Sequence, residues 1–106
     1  MNPGRLNKRI TIERLTRNKH ENGEVIEDYE AFKTVWAEIK PVSGNQFFAA
    51  KQINSEISHN VYIRYRSDLN PSMRIKFKDR IFEILYLMNV NEDNRLMQIY
   101  CKELLK

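Results

Sequence analysis

Cysteine, glycine and proline are scarce in this 106-residue chain, with one of the first and three each of the others. The single Cys101 excludes an internal disulfide and any cysteine-rich zinc module, and it fits a reducing compartment. So few glycines and prolines leave no low-complexity linker, and no two glycines stand at the spacing of a phosphate-binding loop. Long apolar runs are missing as well. The longest, Ile84 to Met88, is five residues, whereas a membrane helix needs about 20, so no membrane span is expected. Met1-Asn2-Pro3-Gly4-Arg5 has no apolar stretch and is not expected to act as a secretory signal. Charge of one sign does not dominate either: 18 Lys and Arg against 14 Asp and Glu give +4. The two signs are interspersed, which permits contact with nucleic acid without arguing for it.

What remains suffices for one core. Hydrophobic residues make up 42% and charged residues 30%, which excludes a disordered chain. The length sets a single domain over residues 1–106. No internal repeat is present.

Period-two alternation is the main signal. Arg9 to Arg14 places Ile10 and Ile12 on one face and Arg9, Thr11 and Glu13 on the other, as in a half-buried strand. Thr16 to Gly23 is polar and contains Asn22-Gly23, a turn pair because both residues tolerate positive φ, so a hairpin tip belongs there. Glu24 to Glu30 reads as a weak strand or extended arm. Phe32 to Pro41 is the next strand, with Val35, Ala37 and Ile39 on one face and Pro41 ending the ladder for want of an amide hydrogen. Ser43 with Gln46 three residues on predicts a capping box and a short helix over residues 44–52. Glu56 to Arg66 alternates longest, with Ile57, His59, Val61, Ile63 and Tyr65 opposite Ser58, Asn60, Tyr62, Arg64 and Arg66. Met73 to Lys78, Ile81 to Val90 and Arg95 to Leu105 complete the set, the last as a strand with a helix as the alternative. The pattern predicts a mainly β fold: a small antiparallel barrel or sandwich of about six strands, one short helix and long loops. Ile10, Ile12, Val35, Ile39, Val61, Ile63, Ile75, Phe77, Ile84 and Ile99 are its expected interior. The segments Thr16 to Tyr29 and Ser67 to Ser72 lack a clean face and are expected to be mobile in a lone monomer.

Catalytic signatures are missing. There is no Gly-x-Ser-x-Gly elbow. His20 lies in a polar loop and reads as solvated, and His59 on an apolar strand face reads as a satisfied, half-buried histidine, since a metal site needs three or four convergent groups. Cys101 reads as a small core residue without a basic activator. No catalytic residue, cofactor or metal ligand is assigned, and the chain is not expected to be an enzyme. The set Tyr62, Arg64, Tyr65, Arg66, Arg74, Lys76 and Lys78 supports a second reading, a nucleic-acid-binding β-barrel in which aromatics stack bases and cations hold phosphates; charged solvent faces of strands look the same. Trp36, Tyr62, Phe47 and Phe48 are aromatics that a domain this small has difficulty hiding, and exposed aromatics mark protein contact surfaces.

Several features then line up in order. Gly4-Arg5-Leu6-x-x-Arg9-Ile10-Thr11-Ile12, a Gly-containing turn, and Thr34-Val35-Trp36-Ala37-Glu38-Ile39-x-Pro41-x-Ser43-Gly44 are followed by Val61-x-Ile63-Arg64-Tyr65-Arg66, Met73-Arg74-Ile75, Phe82-x-Ile84 and a late Cys101-Lys102-Glu103. The ordered set resembles the head–tail connector proteins of long-tailed bacteriophages, also called head–tail joining or adaptor proteins, with stopper-type members. The resemblance implies a non-enzymatic subunit of a homo-oligomeric ring, a dodecamer, that joins the portal side of the capsid to the tail and in stopper members closes the DNA channel. It implies portal, adaptor-ring and tail proteins as partners, packaged DNA nearby, a place in the virion at the head–tail interface, and the host bacterial cytoplasm during assembly. With charges of both signs and no heptad to drive association, the isolated chain is expected to be a monomer. The candidate interface residues are Glu24, Glu27, Asp28, Glu30, Trp36, Phe47, Phe48, Tyr62, Arg64, Arg66 and Arg74. The acids among them are expected to meet Arg64, Arg66 or Arg74 of the next copy. Ser67, Asp68, Leu69 and Asn70 are the candidate channel loop.

Overall fold

The computed structural model describes residues 6–19, 23 and 25–104. Six strands, β1 (Lys8–Lys19), β2 (Val25–Pro41), β3 (His59–Arg64), β4 (Arg74–Phe77), β5 (Arg80–Asn89) and β6 (Leu96–Leu104), close into one antiparallel barrel. The order around the barrel is β1-β2-β3-β6-β5-β4, with β4 returning to pair with β1. Closure removes the sheet edges a small open sheet would expose. One helix, α1 (Gly44–Ile53), connects β2 to β3.

The alternating apolar residues line the interior. Ile10, Ile12, Val61, Ile63, Ile75, Ile84 and Ile99 are buried, joined by Ala37, Met73, Phe82, Met97 and Cys101. Val35, Ile39 and Phe77, expected inside with them, are only partly buried and pack at the margin of this cluster. Phe77 sits at the end of a four-residue strand beside the turn into β5, so the ring that fills the centre is that of Phe82.

Two irregularities shape the barrel. Opposite Ile12 and Glu13 the register moves from Lys33 to Ala31, leaving Phe32 as an extra residue in β2. A second shift between Ile84 and Tyr86 leaves Leu85 extra in β5. Such bulges bend a strand and tighten its twist. The first stands where the β1–β2 pair leaves the barrel. β4 covers β1 only over Thr11–Glu13, and β3 covers β2 only over Ala37–Pro41. Beyond these, Arg14–Lys19 and Val25–Glu30 pair only with each other. They form a projecting two-stranded arm, roughly 20 Å long at 3.3 Å per residue. The molecule measures 50 × 26 × 26 Å accordingly. Over the described residues of Thr16 to Tyr29 the expected hairpin is laddered, and Gly23 takes φ +88°, in keeping with the Asn-Gly turn signal.

Other local expectations shift. The helix runs one residue further than predicted, to Ile53, and Ser43 makes no side-chain capping bond; its carbonyl accepts the Phe47 amide instead. The Gln46 side chain, the other half of that capping box, lies outside the described residues, as does His20. Residues 96–104 form a strand, and the helix alternative there is excluded.

Candidate assembly interface

The candidate residues fall on three surfaces. The first is the arm. Glu24 lies outside the described residues, and so does the side chain of Glu27. Asp28 and Glu30 are exposed on β2. Glu30 pairs with Arg14 across the ladder, and the Thr16 hydroxyl donates to the Asp28 carbonyl. At the root, the Arg74 guanidinium lies 3.9 Å from the centre of the Tyr29 ring while its Nε donates to Glu13 at 2.7 Å. A cation both stacked and ion-paired fixes two elements at once, so this clamp ties the arm to β4.

The second surface is aromatic. Trp36 is 52% exposed on the outer face of β2, with the Arg9 guanidinium 5.2 Å from its ring. Phe48 (69% exposed) and Phe47 stand edge to face at 5.6 Å on α1, with Ile53 exposed on the same helix. Tyr62 departs from this group. It is 6% exposed, and burial raises its hydroxyl pKa. The register explains why: Tyr62 is flanked by Glu38 on β2 and Gln98 on β6, and Asn60 by Lys40 and Tyr100. Long neighbouring side chains cover an outer face that simple alternation assigns to solvent. Sequence reasoning missed this patch, in which Glu38, Asn60 and Gln98 are buried and Glu38 Oε1 and Asn60 Oδ1 find no hydrogen bond. Lys40 Nζ approaches Glu38 to 3.7 Å. The available signal was the row of Tyr62, Tyr100 and Tyr86, too bulky to stand clear of one another.

The third surface is the β3–β4 loop. Arg66 grips Asp68 through two bonds of 3.0 and 2.8 Å, which holds the Asp68 pKa below the usual carboxylate range. The Asn70 side chain accepts from the Ser72 amide and hydroxyl, the Met73 amide donates to the Asn70 carbonyl, and Leu69 packs against the core. Ser67 is exposed at its start. The loop is held by its own bonds. With Arg66 on Asp68 and Arg74 on Glu13, the basic set splits into local ion pairs, leaving Arg64 exposed on β3 and Lys76 and Lys78 exposed around β4.

One constellation has the composition of a hydrolytic site. Ser58 Oγ lies 2.8 Å from His59 Nδ1, and His59 Nε2 lies 3.9 Å from Glu103. The hydroxyl, however, also accepts the Glu103 amide at 2.9 Å and reaches the Cys101 carbonyl at 3.5 Å. Glu103 is held by Arg80 through bonds of 2.8 and 3.0 Å, which lowers its pKa. The His59 ring meets Phe82 edge-on at 5.1 Å, and desolvation lowers its pKa despite the pull of Glu103. A serine held from three directions between β3 and β6 ties two strands together. Burial likewise pushes the Cys101 thiol up to about 12, far from thiolate chemistry. Among the described residues, no group of three or more His, Cys, Asp or Glu is placed to hold a metal ion, and no helix is long and apolar enough to cross a membrane.

A closed barrel whose polar clusters are spent on tying strands, with an arm and aromatic side chains turned outward, defines a structural assembly protein. The comparisons with known proteins name the assembly. The family model for the phage head completion protein matches residues 1–104. The chain is 27% identical over 107 residues to the head completion protein gp7 of Enterobacteria phage HK97, covering 96% of each. Among solved structures it is similar to the protein SF1141 of Shigella flexneri 2a, with 32% identity, a TM-score of 0.75 and coverage of 97% of this chain and 96% of that one. It also matches a chain in the virion of a native gene transfer agent particle at 18% identity and a TM-score of 0.67, covering 94% and 96%, a likeness of fold. The chain belongs to the phage head completion protein family and is a structural, connector-type protein of the phage particle.

Proposed function

We propose that this protein acts without catalysis as one subunit of a homo-oligomeric ring between the portal side of the capsid and the tail, a dodecamer in which the isolated monomers assemble on a neighbouring ring. Its partners there are portal or adaptor-ring proteins and tail proteins, with packaged DNA in the channel. The observation that carries the reading is the arm: among the described residues, Arg14–Lys19 and Val25–Glu30 pair with each other alone and project beyond the closed barrel. Trp36, Phe47 and Phe48 supply contact area beside the arm. Ser67–Asn70, a loop held by its own hydrogen bonds, is the candidate channel-facing element.

The test is an in-frame deletion of the gene in a phage or prophage that carries it. DNA-filled heads and separate tails should accumulate, and the parent gene in trans should restore infectious particles. A second variant removes Asn18 to Glu24 and joins the ends with two glycines. It should fold, because loop length costs little and the arm lies outside the barrel, and it should fail to restore joining. Normal particle yield without the gene would overturn the reading.

A further inference from the structure

In the arm both strands of one ribbon lack an outer neighbour among the described residues. β2 has no second neighbour from Val25 to Trp36, and β1 has none from Arg14 to Lys19. The two edges lie on opposite sides of one ribbon, because each strand's inner edge is occupied by the other. Exposed backbone edges are templates for strand addition. What sits along them is unequal. β1 from Arg14 to Lys19 carries Arg14, Arg17 and Lys19 and no acid, whereas β2 from Val25 to Glu30 carries Glu27, Asp28 and Glu30 and no base.

From this we infer that the arm's occupant is the arm of a second copy, with the basic β1 edge of one chain adding to the acidic β2 edge of the next. The inference rests on the ring reading above and deepens it. Cross-strand partners of opposite charge attract and like charges repel, so β2 against β2 sets acid on acid and β1 against β1 sets base on base. Both self-complementary pairings are disfavoured. The remaining pairing is head to tail: each copy offers one edge and accepts the other, and a heterologous contact of that kind closes into a ring when the rotation allows. Basic and acidic strands then alternate around the assembly, each β1 lying between its own β2 and its neighbour's. The same charges keep two copies from joining symmetrically through their arms.

A charge-swapped arm tests this. Arg14→Glu, Arg17→Glu and Lys19→Glu combined with Glu27→Lys, Asp28→Lys and Glu30→Lys keep the net charge. The swap also retains opposite signs at the intrachain register pairs 14–30 and 17–27. Parent and swapped chains carrying different tags are co-expressed with the remaining particle proteins. Each alone should enter particles, but mixed neighbours would place like charges edge to edge. Capture through one tag should therefore recover the other at least tenfold less than from two tagged parents, and recovery should rise in high salt as the charges are screened. Equal recovery overturns the inference while leaving the connector reading intact. Absence of the parent itself from particles overturns both. Should the swapped chain fail to fold, hydrogen exchange of the parent decides. Alternate amides of β2 from Val25 to Glu30 should exchange at least tenfold more slowly in the particle than in the isolated chain, and unchanged exchange there overturns the inference.

Discussion

Replacing Phe82 by alanine should nearly unfold this protein. Phe82 is the largest fully buried side chain, placed between Ile75 of β4 and Glu103 of β6 in the barrel register. Its ring meets the His59 ring at 5.1 Å and lies 5.0 Å beneath the Arg80 guanidinium. Truncating a buried phenylalanine costs about 3–5 kcal/mol, because the transfer energy is lost and the surrounding shell collapses only in part. The edge-on ring contact adds about 0.5–1.5 kcal/mol beyond the area. A small domain holds only about 5–15 kcal/mol in total. With a urea slope of about 2 kcal/mol per molar, a loss of ~4 kcal/mol lowers the unfolding midpoint by about 2 M. The assay is equilibrium urea denaturation of parent and variant followed by far-ultraviolet circular dichroism. Phe77→Ala serves as the control: its ring is only partly buried at the β4–β5 turn, so it should lose less than half as much. A Phe82 variant within ~1 kcal/mol of the parent, or one milder than the Phe77 variant, would refute the assignment of the core centre.

The folded state lowers the His59 pKa below its ordinary 6.5, chiefly by desolvation. The unfolded chain therefore takes up this proton first as the pH falls, and stability should decline from pH 6.5 downward; urea midpoints at pH 7.5 and 5.5 should differ in the parent and converge in His59→Gln. Cys101, with its thiol near 12, should resist thiol reagents at pH 8 and react at once in denaturant, so rapid labelling of the native chain would show that β6 opens. Trp36→Ala and Phe48→Ala should each change stability by less than about 0.5 kcal/mol, as exposed substitutions do, yet lower the yield of joined particles. The single tryptophan gives a direct check, since its native fluorescence should already be red-shifted and quenched by iodide.

Much of the β framework was legible because a strand presents alternate residues to opposite faces, a property of each segment alone. Ile10 and Ile12, Val61 and Ile63, and Ile75 declared both their strands and their inward direction without any knowledge of neighbours. The exposed Trp36 was legible for the same local reason, as a large ring on a polar strand face, and Phe47 and Phe48 because one stripe of a short helix cannot bury two adjacent rings equally. The capping box at Ser43 was not, because a hydroxyl's bond depends on the rotamer it adopts once the β2–α1 turn is set. Other features belong to pairs of strands distant in sequence. Whether β4 returns to β1 and closes the barrel, whether Phe82 rather than Phe77 fills the centre, and whether Tyr62 and Asn60 are covered on the outer face all depend on the register of β2, β3, β5 and β6. The spending of Arg74 on Glu13 and of Glu103 on Arg80 likewise depends on strand pairing. Alternation fixes the direction of a side chain, but its neighbours come from strands that only folding brings alongside, and burial and ion pairing are properties of those neighbours.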